Sequence, residues 1–475
     1  MKTIKKKLIK TAKSRKTIKS KKQYYDIVIV GGGIAGVYTM YNLNKKYPDL
    51  KVLLLEKNGR YGGRVYTHHK KIDNTDYVMD LGAGRIGFHH KLMVDLIYDL
   101  KLDKSIIPIT NTKNYIEYNK TTHTATNKSQ LKQKYGDLLY KLFNSSKITS
   151  LSKTSMQNKY LNQLLPKFLK KNILTFIINS FEYKNKLFNL NAYNAINYFR
   201  YDYNTSSRFF VVKTGFSTII DKMIEHIKKD NKQNNQHKQT NQYNPNYICK
   251  KNTQVNNIVY DINKSNYKVL YKTKNSSTKT IYSSHIVCAL PRADLIKLDI
   301  LNPYSNLLDS INEISKVRIF EIYDTKRQDD AWFKDIPKTS TNQDLQFIIP
   351  INPSTGLIMS SYNENLSTRE NFWNRLYKKS PQLMKNILHK SLQTIFNIKI
   401  PDSKYLKFYY WKSGVACWKK NIDSNYTSRK ILNLLPNFYI CGENYSEYQA
   451  WCEGALETSK NVVDLIECNL QSRQK

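Results

Sequence analysis

A glycine-rich turn near the start of the sequence has the spacing of a nucleotide-binding site. Gly31, Gly33 and Gly36 follow an apolar run at 26–30 and precede a stretch of helical character that reaches Asn44. In that context the first glycine permits a tight turn, the second lets the backbone approach a pyrophosphate, and the third lets the helix pack on the strand. Free N–H groups at the helix N-terminus favour phosphate charge. The spacing predicts a dinucleotide cofactor, and a glycine-rich loop without a ligand is the alternative.

The residues after the second apolar run bear on which cofactor binds. Glu56 ends that run, twenty residues beyond Gly36, where a carboxylate can accept hydrogen bonds from ribose hydroxyls. An arginine there would favour a 2′-phosphate instead. Arg60, Gly63 and Arg64 then form a second turn rich in glycine and arginine, which suggests further phosphate contacts. An ordinary turn with exposed arginines explains each of these residues separately but not the whole string.

Several motifs, in order, resemble those of the FAD-dependent amine oxidase family, which includes flavin monoamine oxidases and L-amino acid oxidases. The matching strings are EKNGRYGGRV at 56–65, DLGAGRI at 80–86, TQV at 253–255, VCALP at 287–291, CGEN at 441–444 and WCEGALET at 451–458. The first resembles the family signature E-x(3)-R-x-G-G-R. The resemblance covers about residues 24–466 and is weakest at 111–210 and 228–250. It implies two domains, with FAD at their interface and the substrate over the flavin.

The fold class predicted on these grounds is α/β, with a Rossmann-type FAD-binding domain interleaved with an α+β substrate domain that contains a mixed sheet and helices. The predicted parts are a basic disordered arm (1–23), a first FAD-binding part (24–110), a helical substrate part (111–210), a second FAD-binding part (211–300) with a flexible insertion (228–246), a second substrate part (301–405) and a C-terminal FAD-binding part (406–475). Apolar and alternating runs predict strands at 281–290, 317–323, 345–362 and 437–441, and helices at 91–101 and 453–468.

The resemblance implies that FAD is held without a covalent bond. The implied FAD contacts are Gly31, Gly33, Ile34, Ala35, Gly36, Glu56, Lys57, Arg60, Gly63, Arg64, Gly82, Ala83, Gly84, Arg85, Val255, Gly442, Glu443, Gly454 and Ala455. The run 413–418 also resembles the segment in which monoamine oxidases attach FAD through a cysteine, although it has one extra residue. A covalent link at Cys417 is therefore the alternative.

The resemblance also implies which side chains act on the substrate. The family usually has a lysine near flavin N5, on a strand reading K-I-F-L, and Arg318 stands at that position. Lys316 lies two residues earlier on the same strand face and is the other candidate, because arginine cannot transfer a proton near neutral pH. Trp418 and Trp451 fit the positions of two aromatics that flank the substrate amine. The alternative is that both tryptophans belong to the core.

Arg85 bears on the class of substrate. Residues 82–86 resemble the loop of L-amino acid oxidases in which an arginine clamps the substrate carboxylate, and a guanidinium can bind a carboxylate through two hydrogen bonds. The aromatic partner expected near 347–350 is absent, so Arg85 could contact FAD instead. The function expected first is oxidative deamination of a primary or secondary amine, with O2 reduced to H2O2. The alternatives are an L-amino acid oxidase, a desaturase-type flavoprotein and an FAD-binding structural or interaction protein with little turnover.

The charge of the chain is strongly positive. Lys and Arg number 77 against 37 Asp and Glu, which gives a net charge of +40. Eleven basic residues and no acidic residue lie in 1–25, so this arm could contact nucleic acid or another anionic surface without specificity. A solvated tail, and compositional drift in an AT-rich gene, are the alternatives. The sequence does not indicate an oligomeric state.

Cysteine spacing and hydrophobicity bear on metal binding and location. The six cysteines form no CxxC pair and no metal-binding spacing with histidine, so we expect free thiols and no metal site. No secretory signal or membrane-spanning stretch is recognised. We expect a soluble intracellular protein, associated with the virion if its source is a large DNA virus.

Overall fold

Two large β-sheets and the helices packed on them make up the described part of the chain. The computed structural model describes residues 23–109, 113–181, 183–202, 208–236, 246–274, 276–325, 331–364 and 371–472. The predicted basic arm, apart from Gln23, lies outside the described residues.

The strands are numbered in chain order. They are β1 (Tyr24–Val30), β2 (Val52–Leu55), β3 (Thr67–Ile72), β4 (Thr75–Asp80), β5 (Ile86–Gly87), β6 (Ile106–Pro108), β7 (Lys113–Asn119), β8 (Thr124–Asn127), β9 (Phe209–Val212), β10 (Tyr247–Lys250), β11 (Thr253–Asp261), β12 (Asn266–Thr273), β13 (Lys279–Cys288), β14 (Ile311–Ile322), β15 (Lys338–Thr341), β16 (Phe347–Asn352), β17 (Leu357–Glu364), β18 (Tyr405–Trp418), β19 (Asn433–Leu435) and β20 (Phe438–Ile440).

The α-helices are numbered in the same way. They are α1 (Ile34–Lys46), α2 (Lys91–Asp99), α3 (Ser129–Asn144), α4 (Ser146–Thr149), α5 (Lys153–Gln157), α6 (Leu161–Leu164), α7 (Lys171–Ser180), α8 (Asn185–Phe188), α9 (Ala192–Asp202), α10 (Ser217–Gln236), α11 (Arg292–Leu295), α12 (Ser305–Leu308), α13 (Phe372–Lys379), α14 (Pro381–Phe396), α15 (Ser424–Leu432) and α16 (Cys452–Ser472). Among the described residues, no helix combines the length and hydrophobicity needed to cross a membrane.

The first sheet has the strand order β10-β2-β1-β13-β12-β11, and β20 pairs with β13. Its β10, β2, β1, β13 and β20 pair in parallel. Ile27 and Ile29 of β1 belong to the apolar cluster that contains α1, whereas Val28 and Val30 belong to a second cluster. Both faces are thus buried, which explains the continuous apolar run of this strand. In such sheets a ligand binds beyond the carboxyl ends of the strands.

The second sheet has the order β18-β14-β17-β16-β15-β7-β8. Val317 and Ile319 of β14 pack in one cluster with Trp373 of α13 and with residues of α14. Because successive side chains on a strand point to opposite faces, Lys316 and Arg318 point away from that cluster. The packing of β14 therefore fixes the direction of the two cations that the sequence singles out.

Three predicted features differ from the structure. The segment 111–200, predicted to be helical, begins with β7 and β8, because β7 pairs in parallel with the distant β15. The predicted insertion at 228–246 is helical up to Gln236 as part of α10, whose face with Ile220, Met223 and Ile227 is buried. The rest of that insertion, 237–245, lies outside the described residues.

The third difference concerns β18. The predicted C-terminal FAD-binding part starts at residue 406, but β18 pairs with β14 in the second sheet along nearly its whole length. Pairing between strands this far apart in sequence leaves no local pattern that could have located the boundary. The other domain boundaries stay predictions.

Candidate active site

A cavity of about 1160 Å³ is lined by residues from both large sheets. Ligand pockets usually measure about 300–1,000 Å³, so this cavity has room for a long cofactor and a second molecule. At one end it is lined by the turn between β1 and α1, and at the other by β14, β17 and β18. The first sheet thus contributes a glycine turn to this cavity, and the second sheet contributes charged and aromatic side chains.

The glycines of the turn between β1 and α1 leave its backbone uncovered by side chains and in close contact with neighbouring residues. Gly31 has φ +105°, a conformation that favours glycine, and a Cβ on Gly36 would lie 2.0 Å from the Gly31 carbonyl oxygen. Gly33 faces the second glycine turn, with an isolated bridge to Gly62. Gly31, Gly33, Ile34 and Ala35 line the cavity, whereas Gly36 packs beneath it. The turn can therefore receive a pyrophosphate at the start of α1.

Glu56 lies at the end of β2 with its carboxylate fixed in place. Oε2 accepts from the Gly32 backbone N–H at 2.8 Å, and Oε1 accepts from the backbone N–H of Asn58 at 2.8 Å and its side-chain amide at 2.7 Å. The residue lines the cavity, as do Lys57 and Val255. Each carboxylate oxygen can accept more than one hydrogen bond, so Glu56 can still accept from a ribose hydroxyl.

The two arginines of the second turn have different partners. Arg60 donates to the carbonyl of Gly63 at 2.7 Å and lies 4.0 Å from the ring centroid of Tyr66. Arg64 forms an ion pair with Glu443 and donates to the Asn444 side chain at 3.1 Å. Arg60, Gly63, Arg64 and Glu443 all line the cavity. Arg64 thus joins the N-terminal turn to the C-terminal motif.

Residues 82–85, all of them implied FAD contacts, line the cavity throughout, and we call this segment the flavin loop. A Cβ on Gly82 would lie 1.8 Å from the carbonyl oxygen of Arg64, and one on Gly84 would lie 3.0 Å from Arg318 Nη1. The loop therefore packs between the second turn and β14, with no room for side chains at these two glycines.

Some residues of the C-terminal motifs line the cavity, and others pack behind its wall. Gly442, at φ +134°, and Ala455 line the cavity. Gly454 does not, and a Cβ there would lie 2.1 Å from Ser446 Oγ. Glu453, whose role the sequence did not predict, accepts from the backbone N–H groups of Leu92 and Met93, both at 2.9 Å. Its carboxylate therefore holds the N-terminus of α2 against α16.

We call the group formed by Arg85, Lys316, Arg318, Tyr362 and Glu364 the polar chamber; all five line the cavity. Lys316 forms an ion pair with Glu364 and donates to the Tyr362 hydroxyl at 2.9 Å. Arg318 donates to the Asp80 carbonyl, and its guanidinium lies 4.7 Å from the Tyr362 ring centroid. Burial lowers the pKa of Lys316, but Glu364 and Tyr362 raise it by a larger amount. The net shift of this pKa is upward, so Lys316 remains an ammonium ion.

Arg85 has aromatic neighbours rather than an acidic partner. Nη2 donates to the Tyr183 hydroxyl at 2.7 Å, and the guanidinium lies 4.7 Å from the Phe209 ring and 5.2 Å from the Trp451 ring. Within the described residues, no carboxylate oxygen lies within 4.0 Å of it. Burial lowers the pKa of Arg85, but Tyr183 and other neighbours raise it, so this cation stays charged at the cavity wall.

Trp451 lines the cavity and is held by a group that the sequence did not reveal. Its Nε1 donates to Asp202 Oδ2 at 2.9 Å, Asp202 Oδ1 lies 3.2 Å from His89 Nε2, and the His90 ring stacks edge-on at 4.6 Å. The sequence predicts no metal site, yet His89, His90 and Asp202 offer ligand atoms within 4.8 Å of one another. His90 Nδ1 accepts from the Gly87 N–H at 3.1 Å, which leaves the proton on Nε2. As placed, the group supports the indole by hydrogen bonding.

Besides Gly36 and Gly454, two predicted site residues do not reach the cavity. Trp418 is fully buried in the core and donates from Nε1 to the Ser446 carbonyl at 3.1 Å, so it does not flank a substrate as expected. Cys417 is also fully buried, with Sγ 3.9 Å from Lys186 Nζ, and burial raises the pKa of its thiol. Both lie at the end of β18, in the apolar cluster beneath the first sheet. Trp411, seven residues before Trp418 on the same strand, lines the cavity instead.

Other cavity residues gave no signal in the sequence. They are Tyr183, Lys186, Tyr198, Tyr362, Glu364 and Trp411. In a chain with 36 tyrosines and many lysines, single residues of these types do not stand out. Most of them lie in segments where no family motif was recognised.

Comparison with known proteins identifies the family and the fold. A family model described as flavin containing amine oxidoreductase matches residues 34–466. Over 130 residues the chain is 38% identical to a protein named probable flavin-containing monoamine oxidase A from Dictyostelium discoideum; the match covers 27% of this chain and 26% of that protein. The chain therefore spans about a quarter of the length of this curated relative.

Two solved structures have a similar fold. Cyclohexylamine oxidase from Brevibacterium oxydans superposes with a TM-score of 0.68 at 14% identity, over 94% of this chain and 99% of that one. An Exiguobacterium protein assigned provisionally as a protoporphyrinogen oxidase gives 0.66 at 16% identity, with the same coverage. These likenesses confirm the predicted α/β fold with its Rossmann-type FAD-binding part. Because the family model spans most of the chain, the protein belongs to the flavin-containing amine oxidoreductase family.

Proposed function

We propose that this protein is an FAD-dependent oxidase that converts an amine to an imine, with O2 reduced to H2O2 and the imine hydrolysed to a carbonyl compound and ammonia or a smaller amine. The observation that carries the proposal is the continuity of one cavity, from the glycine turn at Gly31 and Gly33 to the polar chamber and Trp451. A cofactor bound along the turn would reach a substrate held in the chamber.

The residues along the cavity fit FAD. Glycines 31 and 33 leave room for a pyrophosphate, and Glu56 is oriented to accept from a ribose. FAD, when bound, supplies the electron acceptor for the oxidation. We propose non-covalent binding, since the Cys417 thiol is buried in the core and does not line the cavity.

The chain's own residues would bind and orient the amine. Three cations of the polar chamber face one carboxylate, Glu364, so an ammonium ion is disfavoured there and a neutral amine is preferred. Trp451 supplies an aromatic wall, whose plane is set by the hydrogen bond to Asp202. Holding the reacting carbon in one orientation is the main contribution such a site can make.

An L-amino acid is the second candidate substrate class, and Arg85 favours it. Its guanidinium carries full charge at the cavity wall without a carboxylate partner among the described residues, and a substrate carboxylate would supply one. Arg85 donates one hydrogen bond to the Tyr183 hydroxyl, and its other N–H groups can bind both oxygens of that carboxylate.

The test is an anaerobic spectrum of the purified protein before and after addition of a set of amines and L-amino acids. Bleaching of the flavin absorbance by one class, with about one H2O2 released per turnover in air, would support an oxidase and name that class. A flavin that stays oxidised with every compound would favour the third possibility, an FAD-binding protein with little turnover. The arginine at the family's usual lysine position gives that possibility some weight.

A further inference from the structure

The described lining of the cavity has no obvious group to remove a proton from an incoming ammonium substrate. No histidine lines the described part of the cavity. Lys316 holds its own proton because it is paired with Glu364, and a guanidinium cannot accept one near neutral pH. The charge of Glu364 is already balanced by Lys316, so protonating its carboxylate would break that ion pair; its second oxygen accepts from the Asn185 side-chain amide at 2.9 Å. A proton acceptor must therefore be sought elsewhere in the polar chamber.

Tyr362 has the geometry that the other groups lack. Its hydroxyl oxygen accepts from Lys316 at 2.9 Å, and among the described residues its own hydrogen has no protein acceptor. Tyr362 as a whole is half-buried and lines the cavity, so that hydrogen can reach a molecule bound there. The ring is fixed on one side by Phe347, at 5.6 Å between centroids, and on the other by the Arg318 guanidinium at 4.7 Å.

The charges around Tyr362 favour its ionised form. Lys316 and Arg318 face it from β14, Arg85 acts on it from the flavin loop, and Glu364 on its own strand is the opposing charge. Three cations against one carboxylate leave the chamber with a net positive charge that a phenolate would partly neutralise. Burial alone raises the pKa of Tyr362, but Lys316 and Arg318 more than offset it, and the net shift is downward.

We propose that Tyr362, as a phenolate, is the proton acceptor that converts the substrate ammonium into the neutral amine before oxidation. One N–H bond of the ammonium breaks, its electron pair stays on nitrogen, and an O–H bond forms on Tyr362. The proton returns to water in the cavity after the product leaves, which restores the phenolate. The proposal rests on the proposed amine oxidase function, and Lys316 acts in it by stabilising the phenolate.

The first experiment does not depend on turnover. The tyrosinate absorbance of the full-length, FAD-loaded protein is titrated for the parent, for Tyr362→Phe and for the control Tyr426→Phe, whose ring is 58% exposed. Subtracting Tyr362→Phe from the parent should reveal one tyrosine that ionises below the ordinary value, because Lys316 and Arg318 favour its charged form. The Tyr426 difference supplies the midpoint of an exposed tyrosine for comparison. Identical midpoints for the two differences would overturn the proposal.

The second experiment measures flavin bleaching by benzylamine and by L-phenylalanine, mixed anaerobically across a range of pH. Tyr362→Phe should slow bleaching by about 10²-fold or more near neutral pH, and its acidic limb should follow the ionisation of the amine itself, because only amine that arrives neutral can then react. Glu364→Gln, which removes the charge that opposes ionisation of Tyr362, should move the parent's acidic limb to lower pH. The flavin spectrum per mole of protein verifies that each variant still folds.

The outcomes separate this inference from the function on which it rests. Bleaching of Tyr362→Phe at the parent rate with the parent's pH profile would refute the role of Tyr362 and leave the oxidase intact. A parent flavin that no amine or amino acid bleaches would overturn the proposed function and, with it, the proton transfer.

Discussion

The close contact beneath the cofactor turn gives a prediction that can be worked out from distances. In Gly36→Ala the new Cβ would lie 2.0 Å from the Gly31 carbonyl oxygen and 3.2 Å from Ala289 Cβ. Cβ contacts shorter than 3.0 Å essentially do not occur, so the turn and α1 must separate by about 1 Å. Neither neighbour is the end of a flexible side chain, and the strain therefore falls on the backbone that receives the pyrophosphate.

Overpacking of this kind costs about 1–3 kcal/mol. We expect the free energy of unfolding of the apoprotein to fall by that amount in a urea titration. We also expect FAD to bind at least about tenfold more weakly, since 1.4 kcal/mol is enough for a factor of ten. Quenching of flavin fluorescence on titration with apoprotein measures this affinity.

Gly136→Ala is the matched control. Gly136 is an exposed residue within α3, and nothing lies within 4 Å of a Cβ built there. Alanine should stabilise the helix by about 0.5–1 kcal/mol and leave FAD affinity unchanged. A Gly36→Ala protein that binds FAD with the parent's affinity would refute the placement of the turn beneath the cofactor.

Three further predictions concern Arg85, Cys417 and His90. Arg85→Ala should lower kcat/KM for L-amino acids by about 10- to 150-fold while sparing simple amines, because a lost charge-assisted contact costs about 1.5–3 kcal/mol. Equal loss on both classes would exclude the carboxylate clamp. Cys417→Ala should not change flavin release. Acid precipitation should leave all the yellow colour in the supernatant, for the parent and for the variant. Colour retained only in the pellet of the parent would contradict non-covalent binding. Burial, and His89 beside it, lower the pKa of His90 to about 3. Below pH 6.5, His90 is therefore protonated in the unfolded chain but stays neutral in the folded chain. Stability should fall by about 2 kcal/mol from that residue between pH 7 and pH 5, and His90→Gln should remove this part of the pH dependence in urea titrations.

The cofactor end of the cavity could be predicted from sequence because its chemistry depends on consecutive residues. Glycine spacing, the strand before it and Glu56 after it are local features, and each lies where the pattern indicates. Gly36 and Gly454 were expected to contact FAD but pack beneath the cavity wall, since the motif requires small residues for packing as well as for contact. Sequence does not distinguish these two requirements.

The substrate end could not be predicted in the same way. Trp411 lines the cavity and Trp418 lies in the core although both pair with β14. The register shift of β14 between Ile314 and Lys316 separates the two pairings, and no sequence pattern predicts it. Tyr362 and Asp202 become important only through partners more than 40 residues away, such as Lys316 for the first and Trp451 for the second. The choice between Lys316 and Arg318 is also not settled by spacing, because both side chains point from β14 into the cavity.

The ion pair between Arg64 and Glu443 has a consequence for how the protein is made. The two residues are separated by 379 positions in the chain, and the cavity wall ends only at Ala455. A ribosome that has translated the glycine turn, Glu56 and the second turn has therefore produced only part of the cavity wall. Capture of the cofactor must wait until nearly the whole chain has been synthesised, so loading is an event of the finished polypeptide rather than of the growing one.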